Sequence, residues 1–186
     1  MPTAVPSAFD VAYWFLDQAQ RENLIIPPLK LQRLLFLAQA YFAASTRGEK
    51  LMPAIFVSSE VGPIEPNVHR TFAAGVTTIE TIVPRPPIVD FLKGVWQAFG
   101  HQSEQALDDL VLRSKPVAQA MGTPNTEIST ATMFNHFSLE KSGPRVIPKG
   151  EQPRGAIGDE DGTPVRIPKY HRGKPVNKWV PGMRKA

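Results

Sequence analysis

Four histidines are the side chains of this sequence best suited to moving protons or binding metal ions near neutral pH. They are His69, His101, His136 and His171. Each lies in a different segment, and their spacing matches no metalloprotease, nucleophile-elbow, phosphate-loop or dinucleotide pattern. Cysteine is absent, which excludes thiolate metal ligands and cysteine nucleophiles. We therefore expect no enzyme activity, no catalytic residue, no metal site and no cofactor.

Carboxylates are the second group that could do acid–base chemistry. Glu60 stands beside Gly62 and Pro63, a pair typical of turns, because proline fixes its own φ and disfavours the α region for the residue before it. A structural role for Glu60 is the favoured interpretation. Asp108 and Asp109 are adjacent in a helical pattern and are expected to form a solvated helix face.

The charge is divided unevenly along the 186 residues. Residues 1–139 hold 10 Lys and Arg against 12 Asp and Glu, whereas residues 140–186 hold 11 against 5, together with 7 Pro and 7 Gly. That composition disfavours both helix and sheet. We therefore expect a helical domain over residues 1–142 and an extended basic tail over residues 143–186.

The location of the protein follows from three features of composition. The lack of cysteine fits a reducing compartment, no apolar run approaches the roughly 18 residues of a membrane span, and Met1 to Ser7 lacks the basic start of a secretory signal. We expect a cytoplasmic protein that does not enter the membrane.

The element that must position everything else is the segment from Leu29 to Phe42. It is apolar nearly all round at a helical period, which is typical of a helix at the centre of a domain. Gln32 and Gln39 form one narrow polar strip, and Lys30 and Arg33 form the other. We expect the two cations to pack their aliphatic stems and to lead their charges to the edge.

Shorter helices are predicted around this centre. Ser7 and Asp10 form a capping box for a helix to about Asn23. The other predicted helices are Pro66 to Phe72, Ile88 to Phe99, Glu104 to Leu112, a turn from Lys115 to Met121, and a last helix from Ser129 or Thr130 to about Lys141. Val76 to Val83 is expected to be extended. The fold class is therefore mainly α, a compact bundle of about six helices around the central helix.

Trp14 falls on the wet side of the first predicted helix. The simpler interpretation is that a loop or the tail folds over it. The alternative is a contact residue for a partner protein, because exposed tryptophan is enriched among binding hot spots.

Two motifs carry a resemblance to a known family. They are the helix core Lys30, Leu31, Arg33, Leu34, Leu35, Phe36 and the turn Gly62, Pro63, Ile64. In this order and spacing the chain resembles, over about residues 7–140, the Panacea domain of SocA-like antitoxins, which are related to phage-associated proteins. It departs from the family at Ser58 and Ser59, where Ala-Trp is common, and at Pro116 and Val117, where Pro-Trp is common.

The resemblance implies an antitoxin that binds and suppresses a protein toxin encoded beside it. SocA-like members are also associated with proteolysis, as adaptors that present the toxin to a ClpXP-type protease. The expected partners are therefore the cognate toxin and, for an adaptor, the protease. The Gly62-Pro63 turn and the surface around Trp14 are candidate contacts.

The tail is the third candidate contact region. Its frequent prolines allow only edge strands or extended segments in a groove. The residues expected to meet the toxin combine two aromatic anchors with five cations for an acidic surface. They are Tyr170 and Trp179, with Arg166, Lys169, Arg172, Lys174 and Lys178. The simpler alternative is a solvated tail with no single partner.

The same tail supports a competing hypothesis, a nucleic-acid-binding regulator. Lys169, Tyr170, His171 and Arg172 interleave cations with aromatic rings, as stacking and phosphate contacts require. The pattern is short, and it comes without a zinc spacing or an RNA-binding motif. It ranks below toxin binding.

Overall fold

A computed structural model describes residues 3–74, 79–140 and 143–144, together with the backbone of 166–168, 170–171 and 174–175. Its helices are α1 (Ala8–Arg21), α2 (Pro28–Ser45), α3 (Pro66–Ala73), α4 (Pro86–Val95), a π-helical turn (Trp96–Gly100), α5 (Glu104–Leu112), α6 (Lys115–Ala120) and α7 (Thr130–Phe137). The predicted mainly-α class is confirmed. In this described part, no helix is both long enough and apolar enough to cross a bilayer.

Helix α2 is the centre of the fold, as its all-round apolar pattern predicted. Every residue from Leu31 to Ala43 is buried. The helix begins at Pro28, where proline needs no intrahelical donor. Beyond its last turn, Gly48 adopts a φ of 91° and donates its backbone N–H to the carbonyl of Ala43 at 2.8 Å. Glycine adopts this left-handed conformation without steric cost.

Aromatic side chains of α2 connect it to its neighbours. The Phe36 ring meets Phe56 and Phe137 edge to face, with centroids 5.5 and 6.3 Å away. Tyr41 stacks on Phe99 at 5.5 Å. These contacts fix α7, the hairpin strand that begins at Phe56 and the π-helical turn around one axis.

Helix α1 begins with the predicted capping box. Ser7 Oγ accepts from the N–H of Phe9 at 3.2 Å, and the N–H of Ser7 donates to Asp10 Oδ2 at 3.1 Å. Asp10 is buried in spite of its charge, with only 2% of its surface exposed. Its second carboxylate oxygen accepts the backbone N–H of Ile82 at 2.7 Å, so the cap also holds a strand.

The predicted helix from Ile88 to Phe99 is interrupted at Trp96. Helix α4 ends at Val95 and continues as the π-helical turn. A Cβ on Gly100 would lie 2.4 Å from the Trp96 indole, so this side chain packs directly over the glycine. The indole N–H donates to Glu22 at 2.8 Å, which ties the turn to the end of α1.

The strands are short and antiparallel. They are β1 (Phe56–Ser59), β2 (Gly62–Ile64), β3 (Glu80–Ile82), β4 (Glu127–Ile128), β5 (Arg166–Pro168), β6 (Tyr170–His171) and β7 (Lys174–Pro175). Strands β2, β1 and β4 form one sheet in that order. Ser59 faces Gly62 in the register, so Glu60 and Val61 form the two-residue hairpin loop.

Candidate functional site

The helix motif of α2 and the turn motif Gly62-Pro63-Ile64 meet at one buried side chain, Arg33. Its guanidinium is 1% exposed and donates from Nε to Asp108 Oδ1 at 2.6 Å. Nη1 donates to the carbonyl of Pro63 at 3.3 Å, and Nη2 donates to the carbonyl of Val61. We call this set of residues, with Gly62, the arginine junction. It joins α2, the β1–β2 hairpin and α5.

The arginine junction corrects two predictions. Arg33 does not lead its charge to the edge of the domain, because its donors are satisfied inside it. Asp108 is not a purely solvated helix residue, since it closes the ion pair from a position where its side chain is 33% exposed. A buried cation costs free energy unless it is paired and hydrogen-bonded. Here one carboxylate and two carbonyls meet that need.

The arginine junction requires glycine at position 62 for two reasons, a positive φ and the lack of room for a Cβ atom. Its φ is 99°, and a Cβ there would lie 2.7 Å from Leu112 Cδ2 and 2.9 Å from Arg33 Nη2. Gly62 and Pro63 are both buried. Partner contact at Gly62 and Pro63 stays a prediction, and the neighbouring residues of the hairpin loop, Glu60 and Val61, are exposed.

The other polar strip of α2 holds the chain just after the hairpin. Gln32 Oε1 accepts the N–H of Glu65 at 2.8 Å. Glu65 is 3% exposed, and its carboxylate caps α3 by accepting the N–H of Val68 at 2.7 Å. Further along the strip, Gln39 Oε1 accepts the N–H of Met52 at 3.2 Å. The strip is therefore structural, and Glu65 is a buried carboxylate that sequence reasoning missed.

A shallow cleft lies between the hairpin and the loop from Met121 to Pro124. Ser58 holds this loop in place, because its hydroxyl donates to the carbonyl of Thr123 at 2.8 Å and accepts the N–H of Thr126 at 3.1 Å. Glu60 lines the cleft, and Val61 and Met121 are 43% and 36% exposed. The geometry offers a small surface with an acidic and an apolar component.

Trp14 is half-buried and not fully on the wet side as predicted. Its ring meets Phe15 edge to face with centroids 5.4 Å apart and packs against the main core. Past the end of the same helix, Leu24 and Ile25 are 39% and 89% exposed. Partner contact at Trp14 remains a prediction, and only part of its ring is available for it.

Two of the histidines each lie beside a single glutamate. His101 Nε2 lies 3.3 Å from Glu22, and His136 Nε2 lies 4.0 Å from Glu140. A hydrogen bond from Gln18 lowers the pKa of Glu22, with smaller contributions from Trp96 and His101. Within the described residues, no three His, Asp or Glu side chains are grouped so that they could hold a metal ion.

The start of the tail, at Gly143, lies over Tyr41. This hydroxyl donates to Glu140, and burial, reinforced by that carboxylate, raises the pKa of Tyr41. A Cβ on Gly143 would lie 2.0 Å from the Tyr41 ring, and Pro144 lies 3.7 Å from the Cβ position of Gly94. Residues 143–144, which we assigned to the tail, therefore contact the body closely.

The predicted contact residues of the tail are described only in part. Arg166, Tyr170 and Lys174 lie in β5, β6 and β7, where the backbone alone is described. The remaining four lie outside the described residues. They are Lys169, Arg172, Lys178 and Trp179.

Comparison with models of protein families, with curated proteins and with solved structures finds no match for the chain. The site must therefore be interpreted from its own residues.

Proposed function

We propose that this protein is an antitoxin, which binds the protein toxin encoded beside it and neutralises it. In this proposal the helical domain is the scaffold and the basic tail supplies most of the toxin contact. Delivery of the bound toxin to a ClpXP-type protease is the finer form of the proposal.

The observation that carries the proposal is the arginine junction. The resemblance to Panacea domains depends on a helix motif and a turn motif that lie about 30 residues apart in the sequence. Arg33 of the first motif donates to the carbonyls on both sides of Gly62 in the second. The motifs are therefore one physical unit, which supports their use together as the basis of the resemblance.

The division of charge supports the role given to the tail. The domain has a small excess of acidic residues, whereas residues 140–186 carry an excess of six basic ones. A basic, proline-rich segment cannot build a core of its own, and it can cover a large acidic surface when it binds. Aromatic residues such as Tyr170 and Trp179 would add apolar contact area to the charge pairs.

Co-expression with the neighbouring gene product tests the proposal. We expect the full chain to restore growth and to co-purify with that protein. Deletion of residues 145–186 keeps the contacts of Gly143 and Pro144, and we expect it to abolish protection while the circular dichroism of the domain stays helical. Full protection by the shortened chain would refute the role of the tail, and failure of the full chain to bind and protect would refute the antitoxin proposal.

A second pair of variants distinguishes the contribution of the aromatic residues to toxin binding from that of the cations. Tyr170→Ala with Trp179→Ala removes the aromatic contacts, and Lys169→Gln with Lys178→Gln removes two charges at nearby positions. All four substitutions lie outside residues 3–140, so we expect both variants to keep the helical circular dichroism of the wild type. We expect the first to weaken toxin binding at all salt concentrations and the second to weaken it mainly at low salt, because exposed charges are screened.

The adaptor form has its own test. With purified ClpXP, we expect the toxin to be degraded only when this protein is present. Neutralisation of the toxin without any change in its half-life would leave direct blocking as the mechanism and refute the adaptor form.

Nucleic-acid binding by the tail is the second candidate, favoured by the interleaved cations and aromatic residues from Lys169 to Arg172. Its signature is an affinity for DNA or RNA that falls steeply and linearly with the logarithm of the salt concentration. A fluorescent duplex containing the promoter of the gene is a suitable probe, and a lack of binding at low salt would exclude this candidate.

A further inference from the structure

Strand β3 lies apart from the β2–β1–β4 sheet. In the described part of the chain its strand partner is β5, in the tail, with Glu80 opposite Pro168, Thr81 opposite Ile167 and Ile82 opposite Arg166. Thr81 is fully buried. A strand edge with unpaired N–H and C=O groups is a template for another extended segment. Here the tail of the same chain occupies that edge.

The register shows which residues make the pairing. The N–H of Ile82 donates to Asp10 and so faces α1. Because backbone groups alternate in direction along a strand, the N–H and C=O of Thr81 face β5, and Thr81 and Ile167 form the pair that exchanges hydrogen bonds. Pro168 falls at a position whose N–H would face away from β3, so its missing donor costs nothing there.

We propose that β3 is a docking edge for the tail and that β5 occupies it reversibly in the same molecule. We call this pairing of Glu80–Ile82 with Arg166–Pro168 the tail latch. It goes beyond the proposed function, since it is an interaction of the protein with itself that needs no toxin.

Three features favour this occupant and make its release easy. The tail is joined to the body at Gly143 and Pro144, and the 21 residues between Pro144 and Arg166 can reach across a domain of this size, at up to about 3.3 Å per residue. The body has an excess of acidic residues and the tail an excess of basic ones, so their average interaction is attractive. The described pairing consists of three residue pairs. A two-stranded pairing this short is only marginally stable in water, so it can open readily.

The latch has a matched pair of test variants. Ile167→Pro removes the N–H that pairs with Thr81 and introduces a ring that blocks the ladder. Arg166→Pro is the control, because the N–H of residue 166 faces away from β3. In the full-length protein, we expect the backbone amide of Thr81 to exchange with deuterium at least tenfold faster in the first variant. In the control it should exchange at the wild-type rate.

A peptide in trans provides an independent measurement. A labelled peptide of residues 163–171 should bind the full-length Ile167→Pro protein about tenfold or more tightly than the wild type, because in the wild type the edge is occupied for most of the time. Equal amide exchange at Thr81 in the wild type and the Ile167→Pro variant would overturn the proposal.

Dilution distinguishes the latch from a strand exchanged between two copies. We expect Thr81 protection in the wild type to be unchanged over a hundredfold range of protein concentration. Protection that disappears on dilution would overturn the intramolecular form. None of these measurements uses a toxin, so failure of the latch and failure of the antitoxin proposal are seen separately.

Discussion

Two arginines pair with adjacent aspartates of α5, one inside the domain and one at its surface. Arg33 donates to Asp108 at 2.6 Å and is 1% exposed, whereas Arg113 donates to Asp109 at 3.0 Å and is 81% exposed. The chemistry is the same, but water competes much more for the second pair than for the first, where the arginine is buried and the aspartate is 33% exposed. The comparison shows that a charge pair in this protein organises structure only where its other donors also find fixed partners.

The largest effect is expected when the buried pair is broken. Arg33→Met keeps the aliphatic volume but leaves two carbonyls and the partly exposed Asp108 without their donor, which should cost about 2–4 kcal/mol of stability. Arg113→Met is the matched control, and it should cost about 1 kcal/mol or less because exposed pairs contribute little. Urea denaturation followed by circular dichroism measures both, and equal losses would remove the distinction between them.

A substitution at Gly62 tests the same arginine junction by changing the backbone that it contacts. Gly62→Ala places a Cβ against Leu112 and Arg33 at a φ of 99°, and we expect a loss of about 2 kcal/mol or more. Gly122→Ala is the control, since no atom lies within 4 Å of its Cβ position. Its expected change is within about 0.5 kcal/mol. Thermal melts of the two variants would contradict this account if they coincided.

Tyr41 gives a smaller effect that depends on pH. Burial and the hydrogen bond to Glu140 raise the pKa of Tyr41 above its ordinary value of 10.0. The neutral hydroxyl therefore contributes stability that is complete below pH 10 and is lost as the pH rises through the folded pKa. Tyr41→Phe should cost about 1 kcal/mol at pH 7, and the difference from wild type should shrink above pH 10. A constant difference across that range would contradict the assignment.

The smallest effect on stability is expected in the tail. We expect Arg172 and Lys178 to be solvated when no toxin is bound, so replacing both by glutamine should change the melting temperature of the domain by about 1 °C or less. The same variant should weaken toxin binding at low salt. A large loss of thermal stability would show that these tail cations stabilise the fold as the buried Arg33 does, and that they are not exposed charges of the Arg113 kind.

The sequence was most informative where the local pattern alone decides the structure. The capping box of Ser7 and Asp10, the start of α3 at Pro66 and the span of α5 were predicted and are confirmed. The break at Trp96 was missed. Its indole packs on Gly100 and also donates to Glu22, which is 74 residues away in the sequence. Such contacts between residues close together only in space leave no periodic signal.

The candidate site shows the same limit. Motif spacing singled out Arg33, Gly62 and Pro63 but assigned the arginine to the edge of the domain and did not show that the three residues meet. Glu65 was overlooked, because nothing in its neighbourhood distinguishes a buried capping carboxylate from an exposed one. Asp108 and Asp109 are identical as residues, and only the direction in which α5 packs selects the first as the partner of Arg33.

What the sequence determined by itself is the position of the central helix, the mainly-α class and the separation of a basic tail from a nearly neutral body. These follow from hydrophobic period, caps and charge, which are properties of neighbouring residues. The tertiary structure decided which polar groups are buried and what satisfies them. Burial and hydrogen bonding depend on segments that are far apart in the chain, so the role of Arg33 appears only when the hairpin and α5 have packed against α2.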